Sequence, residues 1–139
     1  MPVVVAMHHP PFQTLIGHMD AVGLLEGATE LEALIAQHPN VERVICGHSR
    51  RAIQVRFGGT IAATLPSPAG QVCLELAHEV CPDLAREASS MWTLEPPGYG
   101  LHALPDQSVK PKGHMVSHLV ASGQYAGPFA FHDGDQLID

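Results

Sequence analysis

Basic residues are scarce in this sequence. Seven Lys and Arg residues stand against 14 Asp and Glu residues, which gives the 139-residue chain a formal net charge of -7 at pH 7. A nucleic-acid surface is held by many contacts between basic side chains and phosphates, so this balance argues against a nucleic acid polymer as a partner. A phosphate-containing substrate would need local positive charge from metal ions or from a few arginines.

Cysteines and long apolar runs are also few. Cys46, Cys73 and Cys81 are odd in number and contain no CxxC spacing, so a disulfide framework is not expected. The apolar run after Met1 is too short to span a membrane and lacks the basic lead-in of a secretory signal. We expect a cytoplasmic protein without membrane contact. A hydrophobic content of 45% with 15% charged residues is typical of a globular protein, and 139 residues are enough for one domain.

Histidine is abundant, with ten residues, and two of them follow a predicted strand directly. The unbroken apolar run Val3–Val5 is typical of a strand buried on both faces of a sheet. It ends in His8 and His9, and Pro10 and Pro11 then hold the chain in an extended form, because proline fixes φ and lacks an amide proton. In open α/β sheets, ligands and catalytic groups collect at this carboxyl edge of the strands.

A second strand ends in a similar way. The segment Val41–Cys46 predicts a strand that runs into Gly47-His48-Ser49, and Ala28–Gln37 before it has the 3.6-residue periodicity of a helix, with Thr29 as its expected cap. A strand, helix and strand of this length most often pair in parallel. This pairing would bring the two strand ends that carry histidines to one sheet edge. We call them the first corner (His8 and His9) and the second corner (Gly47-His48-Ser49). Neutral imidazole is a common ligand for Zn, Mn and Fe, so His8 and His48 could share a metal ion.

Beyond these corners the pattern changes to short strands. Gly58-Gly59 predicts the turn of a β-hairpin between Ala52–Phe57 and Thr60–Leu65. Further strands are predicted over Gln71–Ala77, Met91–Leu94, Tyr99–Leu104 and Met115–Ala121. Residues 12–23 are predicted to form a loop over the first corner, residues 78–90 are ambiguous, and residues 123–139 are predicted to be a docking arm or a loosely held tail.

The other polar residues near the corners have ordinary interpretations. His18 is expected to be a loop histidine without a chemical role, and His114 and His118 to lie on a polar strand face. Asp20 either serves the site or caps its own loop. Four more histidines occur in turn-like or polar surroundings and are expected to be solvated: His38, His78, His102 and His132.

Several segments together resemble the calcineurin-like metallophosphoesterases, in the branch of the bacterial cyclic-nucleotide phosphodiesterases and glycerophosphodiesterases. They are MHHPPF at 7–12, IGHMDAVGLL at 16–25, VERVICGHSRR at 41–51, LPSPAGQVCLEL at 65–76 and LEPPGYGLH at 94–102. The resemblance implies an α/β fold that is part of a four-layer α-β-β-α sandwich, with a small added β-sheet toward the C-terminus. Residues 1–70 would be the carboxyl-terminal half of the core, and residues 71–139 a β-rich oligomerisation or cap region with a tail.

The resemblance also implies a chemistry. It is that of a metal-dependent phosphoric ester hydrolase acting on a cyclic nucleotide or a glycerophosphodiester, with divalent ions of the Mn, Fe, Zn or Co class. His8 matches the family's strand-end histidine ligand, and His48 matches the first histidine of the Gly-His-x-His signature. His9 is expected to bind substrate beside them. Arg50 replaces the second histidine of the signature and cannot coordinate a metal, but it or Arg51 could reach a substrate phosphate.

The family's other metal-binding motifs, Asp-x-His and Gly-Asn-His-Asp or Glu, do not occur in these 139 residues. We therefore expect a carboxyl-terminal half: a truncated product, a fragment or a piece completed by another chain. Two functions stay open, namely a truncated and impaired phosphodiesterase and a catalytically inactive oligomerising or interaction module. Half of a sandwich exposes a face that the other half would cover, so a homo-oligomer is expected.

Overall fold

The computed structural model describes residues 1–24, 26–74, 91–106, 108, 113–126, 132–133 and 136–137. A four-stranded sheet organises this mixed α/β structure. Its strands are β1 (Val3–Met7), β2 (Val41–Cys46), β3 (Ile53–Phe57) and β4 (Thr60–Thr64), in the spatial order β1-β2-β4-β3. Strands β1, β2 and β4 run parallel to one another, and β3 pairs with β4 in antiparallel orientation.

Two helices connect β1 to β2: α1 (Gly17–Asp20) and α2 (Ala28–Ala36). The predicted strand–helix–strand unit is confirmed, because β1 and β2 pair in parallel. The prediction of a loop over residues 12–23 missed the single turn α1. The prediction that Thr29 caps α2 is wrong, since Gly27 occupies the cap position with a φ of 86° and no side chain bonds there. Glycine adopts this left-handed conformation without a Cβ penalty.

The core lies between α2 and one face of the sheet. Its buried residues are Ile35, Val44, Cys46, Phe57 and Ala62, and burying each large apolar side chain stabilises the fold by about 1.5–3 kcal/mol. The expectation that the first strand is buried on both faces is wrong, because Val4 is 41% exposed. The reason is position: β1 is the edge strand, and the helix covers only one face.

The predicted hairpin is confirmed as β3–β4. Gly58 and Gly59 form its turn with φ values of 56° and 87°, as two-residue hairpin turns require. A Cβ added at Gly58 would lie 2.8 Å from the Cβ of Ile35 and from the carbonyl oxygen of Glu32, whereas one at Gly59 would meet nothing. The hairpin turn therefore packs directly on α2.

The later strands form two-stranded sheets. β5 (Gln71–Val72) pairs with β6 (Trp92–Thr93), β7 (Gly98–Ala103) pairs with β8 (Val116–Ala121), and β9 (His132–Asp133) pairs with β10 (Gln136–Leu137). The predicted strands over 99–104 and 115–121 are confirmed within one residue, and that over 91–94 is shorter. The strand predicted over 71–77 ends at Val72, residues 75–77 and the ambiguous segment 78–90 lie outside the described residues, and the predicted tail contains the β9–β10 pair.

The β7–β8 hairpin is bonded at one end to the loop after β4 and at the other end to β2. The amide of Gly98 donates to the carbonyl oxygen of Ser67 (3.1 Å). At the other end, Arg43 Nη2 donates to the carbonyl oxygen of Met115 (3.0 Å), and the Met115 amide donates to Glu42 Oε2 (3.1 Å). The hairpin therefore lies along the sheet face that carries Arg43, opposite the face that α2 covers. Neither helix of the described chain is long and apolar enough to cross a membrane.

Candidate metal centre

Three histidines converge at the carboxyl ends of β1 and β2. The ring centroids of His8 and His9 are 4.9 Å apart, those of His8 and His48 5.2 Å, and those of His9 and His48 4.6 Å. One ring nitrogen from each residue lies within 4.8 Å of the others. The prediction that the two histidine corners meet at one sheet edge is confirmed, and His9 joins the cluster with them.

Parallel pairing and one glycine produce this arrangement. Met7 lies opposite Cys46 in the ladder, so both strands reach the edge together. The Gly47 amide then contacts the carbonyl oxygens of Met7 (3.3 Å) and His8 (3.1 Å). A Cβ added at Gly47 would lie 3.2 Å from His8 Nδ1. The absence of a side chain at Gly47 therefore allows the His8 ring to approach the second corner.

The backbone of the second corner is strained. His48 and Arg50 have φ values of 61° and 50°, in the left-handed region that costs a non-glycine residue about 1–2 kcal/mol. Ser49 between them is fully buried, and its amide donates to the carbonyl oxygen of Gly47 (2.7 Å). Such strain persists where surrounding packing holds it, and it concentrates at functional sites.

The electrostatics of the cluster suit a metal ion. His48 Nε2 is buried and has no hydrogen-bond partner among the residues that the structure describes. Burial lowers the pKa of His48, and the neighbouring His9 and His8 lower it further, which favours the neutral ring that can donate a lone pair to a metal. Two nitrogens bound to one zinc ion lie about 3.4 Å apart in tetrahedral geometry. The donor atoms lie within 4.8 Å of one another, so modest side-chain rotation would bring them to this spacing, and the residues fit a single ion.

A cleft of about 710 Å³ lies beside the cluster. His8, His48 and Arg50 line it together with the loop at 65–69, and the Arg50 side chain is exposed. Arg51 is engaged elsewhere: its Nη2 lies 2.6 Å from Glu95 Oε1, and its Nε donates to the carbonyl oxygen of Val72 (2.8 Å). Of the two arginines considered for a phosphate contact, Arg50 is the one that has no ion pair within the described part of the chain.

No carboxylate joins the three histidines within the described part of the chain. Asp20, the nearest candidate in sequence, accepts hydrogen bonds from the amide and the hydroxyl of Thr14, both at 2.7 Å, and from the amide of Leu15 (3.1 Å). The interpretation of Asp20 as a residue that caps its own loop is confirmed. The described residues therefore supply imidazole ligands without a bridging carboxylate.

His102 is not solvated as expected. Its Nδ1 lies 2.8 Å from Ser117 Oγ, and its Nε2 is buried without a hydrogen-bond partner in the described ranges. Burial lowers the pKa of His102, and the charge of Arg43 lowers it further. Along β7 the apolar Tyr99 and Leu101 point outward while His102 points inward, so polarity alone could not have predicted its position.

The remaining histidines lie outside the cluster. His38 and His118 are exposed as expected, and His18 stays apart from the three clustered rings. His114 is exposed, with its Nδ1 3.4 Å from Glu42 Oε2. His78 and the side chain of His132 lie outside the described residues.

Comparison with known proteins gives consistent relatives, although no protein-family model matches the chain. It is 30% identical over 138 residues to a probable glycerophosphodiester phosphodiesterase of Arcobacter nitrofigilis, covering 99% of this chain and 46% of that protein. It is 26% identical over 132 residues to the glycerophosphodiester phosphodiesterase of Enterobacter lignolyticus, covering 95% and 42%. A probable cyclic nucleotide phosphodiesterase of Rhodopseudomonas palustris is 29% identical over 137 residues, covering 98% and 44%.

The chain thus spans less than half the length of these curated relatives. That coverage fits a carboxyl-terminal half, as the motifs imply. The relatives carry the names of the two phosphodiesterase types that the sequence resembles, so the resemblance is confirmed. The comparisons therefore confirm that this chain is a homologue of the glycerophosphodiester and cyclic nucleotide phosphodiesterases, and its coverage fits the carboxyl-terminal half of a metallophosphoesterase.

Proposed function

We propose that this chain provides the histidine metal ligands of a divalent-metal-dependent phosphodiesterase that acts on a glycerophosphodiester or a cyclic nucleotide. The observation that carries the proposal is the convergence of His8, His9 and His48 on one sheet edge. The names of the relatives supply the substrate classes, and the imidazole cluster supplies part of the metal ligands that a phosphodiesterase of this family needs.

The three imidazoles would hold one ion of the Mn, Fe, Zn or Co class through their ring nitrogens. Such an ion supplies Lewis acidity to a phosphoryl oxygen and lowers the pKa of a coordinated water. Arg50 lines the same cleft, and its planar guanidinium can bind two oxygens of a phosphate group. The exposed ring of His9 stands beside that cleft and can contact the substrate as well.

The site needs further groups, and a second chain can bring them. We infer that residues 1–70 form half of the core of the family's four-layer sandwich. Residues 71–139 then form the added β-rich region through which a homo-oligomer assembles. A bridging carboxylate from the other half would complete a two-ion site.

A second function is favoured by one observation. Apolar side chains of the later strands and loops are exposed, including Trp92 at 67% and Leu94 at 84%. Contiguous exposed apolar residues mark interaction surfaces, and Arg50 replaces a ligand histidine. On this alternative the chain is a catalytically inactive interaction module that keeps half of the phosphoesterase fold.

Turnover of bis(p-nitrophenyl) phosphate separates the two functions. We expect the full chain to hydrolyse it slowly with Mn²⁺, because its site lacks the bridging carboxylate, and to lose that activity in the His8→Ala, His48→Ala double variant. The matched control is His118→Ala, which removes an exposed imidazole outside the cluster and should retain full activity. Equal rates in the wild type and the double variant would contradict the proposal and favour the interaction module.

A further inference from the structure

A second polar cavity lies on the sheet, away from the histidine cluster. It has a volume of about 620 Å³, and its polar lining residues are Glu42, Arg43, Gln54, Arg56, Thr60 and His114. Arg43 and Thr60 belong to the beginnings of β2 and β4, whereas the histidines follow the strand ends. The two sites therefore occupy opposite edges of the same parallel strands.

The buried arginine in this cavity lacks an anionic partner. Arg43 is only 7% exposed. Its Nη2 donates to the carbonyl oxygen of Met115, but its Nε has no partner, and no carboxylate of the described chain forms an ion pair with it. Removing a guanidinium from water without a counter-charge is costly. A folded chain that retains such a group is suited to receive an anion there.

A second arginine stands on the same face. Arg56 pairs with Ile61 across β3–β4, and the β2–β4 register of Val44 opposite Ala62 places Arg43 on the other side of Ile61. Strands lie about 4.8 Å apart, so the two arginines flank Ile61 two strand spacings from each other. Arg56 is exposed and has no ion pair among the residues that the structure describes. Their long side chains can converge on one polyatomic anion.

The carboxylate in the cavity does not neutralise this pair. Glu42 Oε2 accepts a hydrogen bond from the Met115 amide (3.1 Å) and lies 3.4 Å from His114 Nδ1. Glu42 therefore holds the approaching segment of the β7–β8 hairpin, and it forms no ion pair with either arginine. The two guanidinium groups leave the cavity with an excess of positive charge.

We propose that the cavity between Arg43 and Arg56 binds a phosphate group, either free phosphate or a small phosphate monoester. Guanidinium forks match the oxygens of phosphate in a bidentate way, and a volume of about 620 Å³ exceeds what the phosphate alone fills. This site is separate from the proposed catalytic edge, and it can exist whether or not the chain hydrolyses phosphodiesters.

Nuclear magnetic resonance titration of the full chain tests this site directly. We expect the amide signals of Thr60 and Ile61 to shift saturably with inorganic phosphate and with glycerol 3-phosphate, but not with acetate. Tighter binding of glycerol 3-phosphate would assign the cavity to a monoester, and tighter binding of inorganic phosphate would assign it to free phosphate. No saturable shift, or an equal response to acetate, would overturn the proposal.

Two variants localise the binding. Arg56→Gln removes an exposed side chain and should leave the fold intact while it weakens phosphate binding by about ten- to a hundredfold, the effect of one hydrogen bond to a charged group. Arg50→Gln makes the same charge change at the opposite edge and should leave the Thr60 and Ile61 responses unchanged. Equal weakening in both variants would show a diffuse charge effect and overturn the proposal. The His8→Ala, His48→Ala variant should bind phosphate here normally even if hydrolysis fails.

Discussion

The described residues before and after position 70 differ in how they bury apolar surface. Of the buried hydrophobic residues, all but Val72 precede that position, with Ile35, Val44 and Phe57 at their centre. After it, large apolar side chains such as Tyr99 and Leu101 are exposed. The first region has its own core, whereas the second presents its apolar side chains outward.

The difference shows what holds each region. The four-stranded sheet is covered by α2 and can be stable through burial alone, but a two-stranded hairpin is marginal in water without further packing. The β7–β8 hairpin is held to the sheet by polar contacts of Arg43 and Glu42 with Met115. We infer that the second region takes part of its stability from the first. The domain boundary at residue 70 stays a prediction.

The largest expected effect on the free energy of unfolding comes from comparing the loss of one aromatic side chain in each region. Phe57→Ala removes a side chain that is 3% exposed and should lower the free energy of unfolding by about 3–5 kcal/mol. Tyr99→Ala removes one that is 52% exposed and should change it by about 0.5 kcal/mol or less in the isolated chain. Chemical denaturation measures both. Similar losses in the two variants would break the comparison.

A smaller effect tests how tightly α2 packs on the β3–β4 turn. Gly58→Ala and Gly59→Ala both place a side chain at a positive φ, but only at Gly58 would the new Cβ lie 2.8 Å from Ile35 and Glu32. We expect Gly58→Ala to be the more destabilising by about 1–3 kcal/mol, the cost of overpacking. Equal denaturation midpoints would mean that the helix and the turn are not in tight contact.

A pH titration tests the junction between the regions. Burial and the charge of Arg43 lower the pKa of His102 in the folded state, relative to about 6.5 when unfolded. Well above pH 6.5 the histidine is neutral in both states, and its effect on stability no longer changes with pH. As the pH falls below that value the unfolded state binds the proton first, so stability declines.

The matched variants for this titration are His102→Gln and His118→Gln. The first should flatten the acid side of the stability curve, measured by thermal unfolding, and the second should leave the curve unchanged because it alters an exposed ring. An unaltered curve in His102→Gln would show that β7 does not pack against Arg43.

The smallest effect concerns the ion pair that links the second corner to the later strands. Arg51 Nη2 lies 2.6 Å from Glu95 Oε1, and the Glu95 side chain is half exposed. Glu95→Gln should destabilise the chain by about 1 kcal/mol or less, because solvent screens exposed pairs. A loss much larger than this in denaturation would mean that the two regions depend on this contact for their stability.

Local sequence signals predicted the first region well. Valines followed by His8, His9 and two prolines predict a strand and its end, and the glycines at 58 and 59 predict a hairpin, since both signals act over a few residues. The cap at Thr29 failed because Gly27 could adopt a left-handed φ. The extent of β5 and the burial of His102 depend on which strands meet, and a single sequence does not contain that information in a local pattern. The meeting of His8 with His48 was predictable because parallel pairing fixes it.

The measurement that tests the central claim most directly is the metal content of the full chain. Elemental analysis after purification without chelator should find about one divalent ion per three-histidine cluster, and none in the His8→Ala, His48→Ala variant. The His118→Ala control should retain the wild-type content. An equal content in the wild type and the double variant, or no metal in either after incubation with Mn²⁺ and Zn²⁺, would contradict the account of this sheet edge as a metal centre.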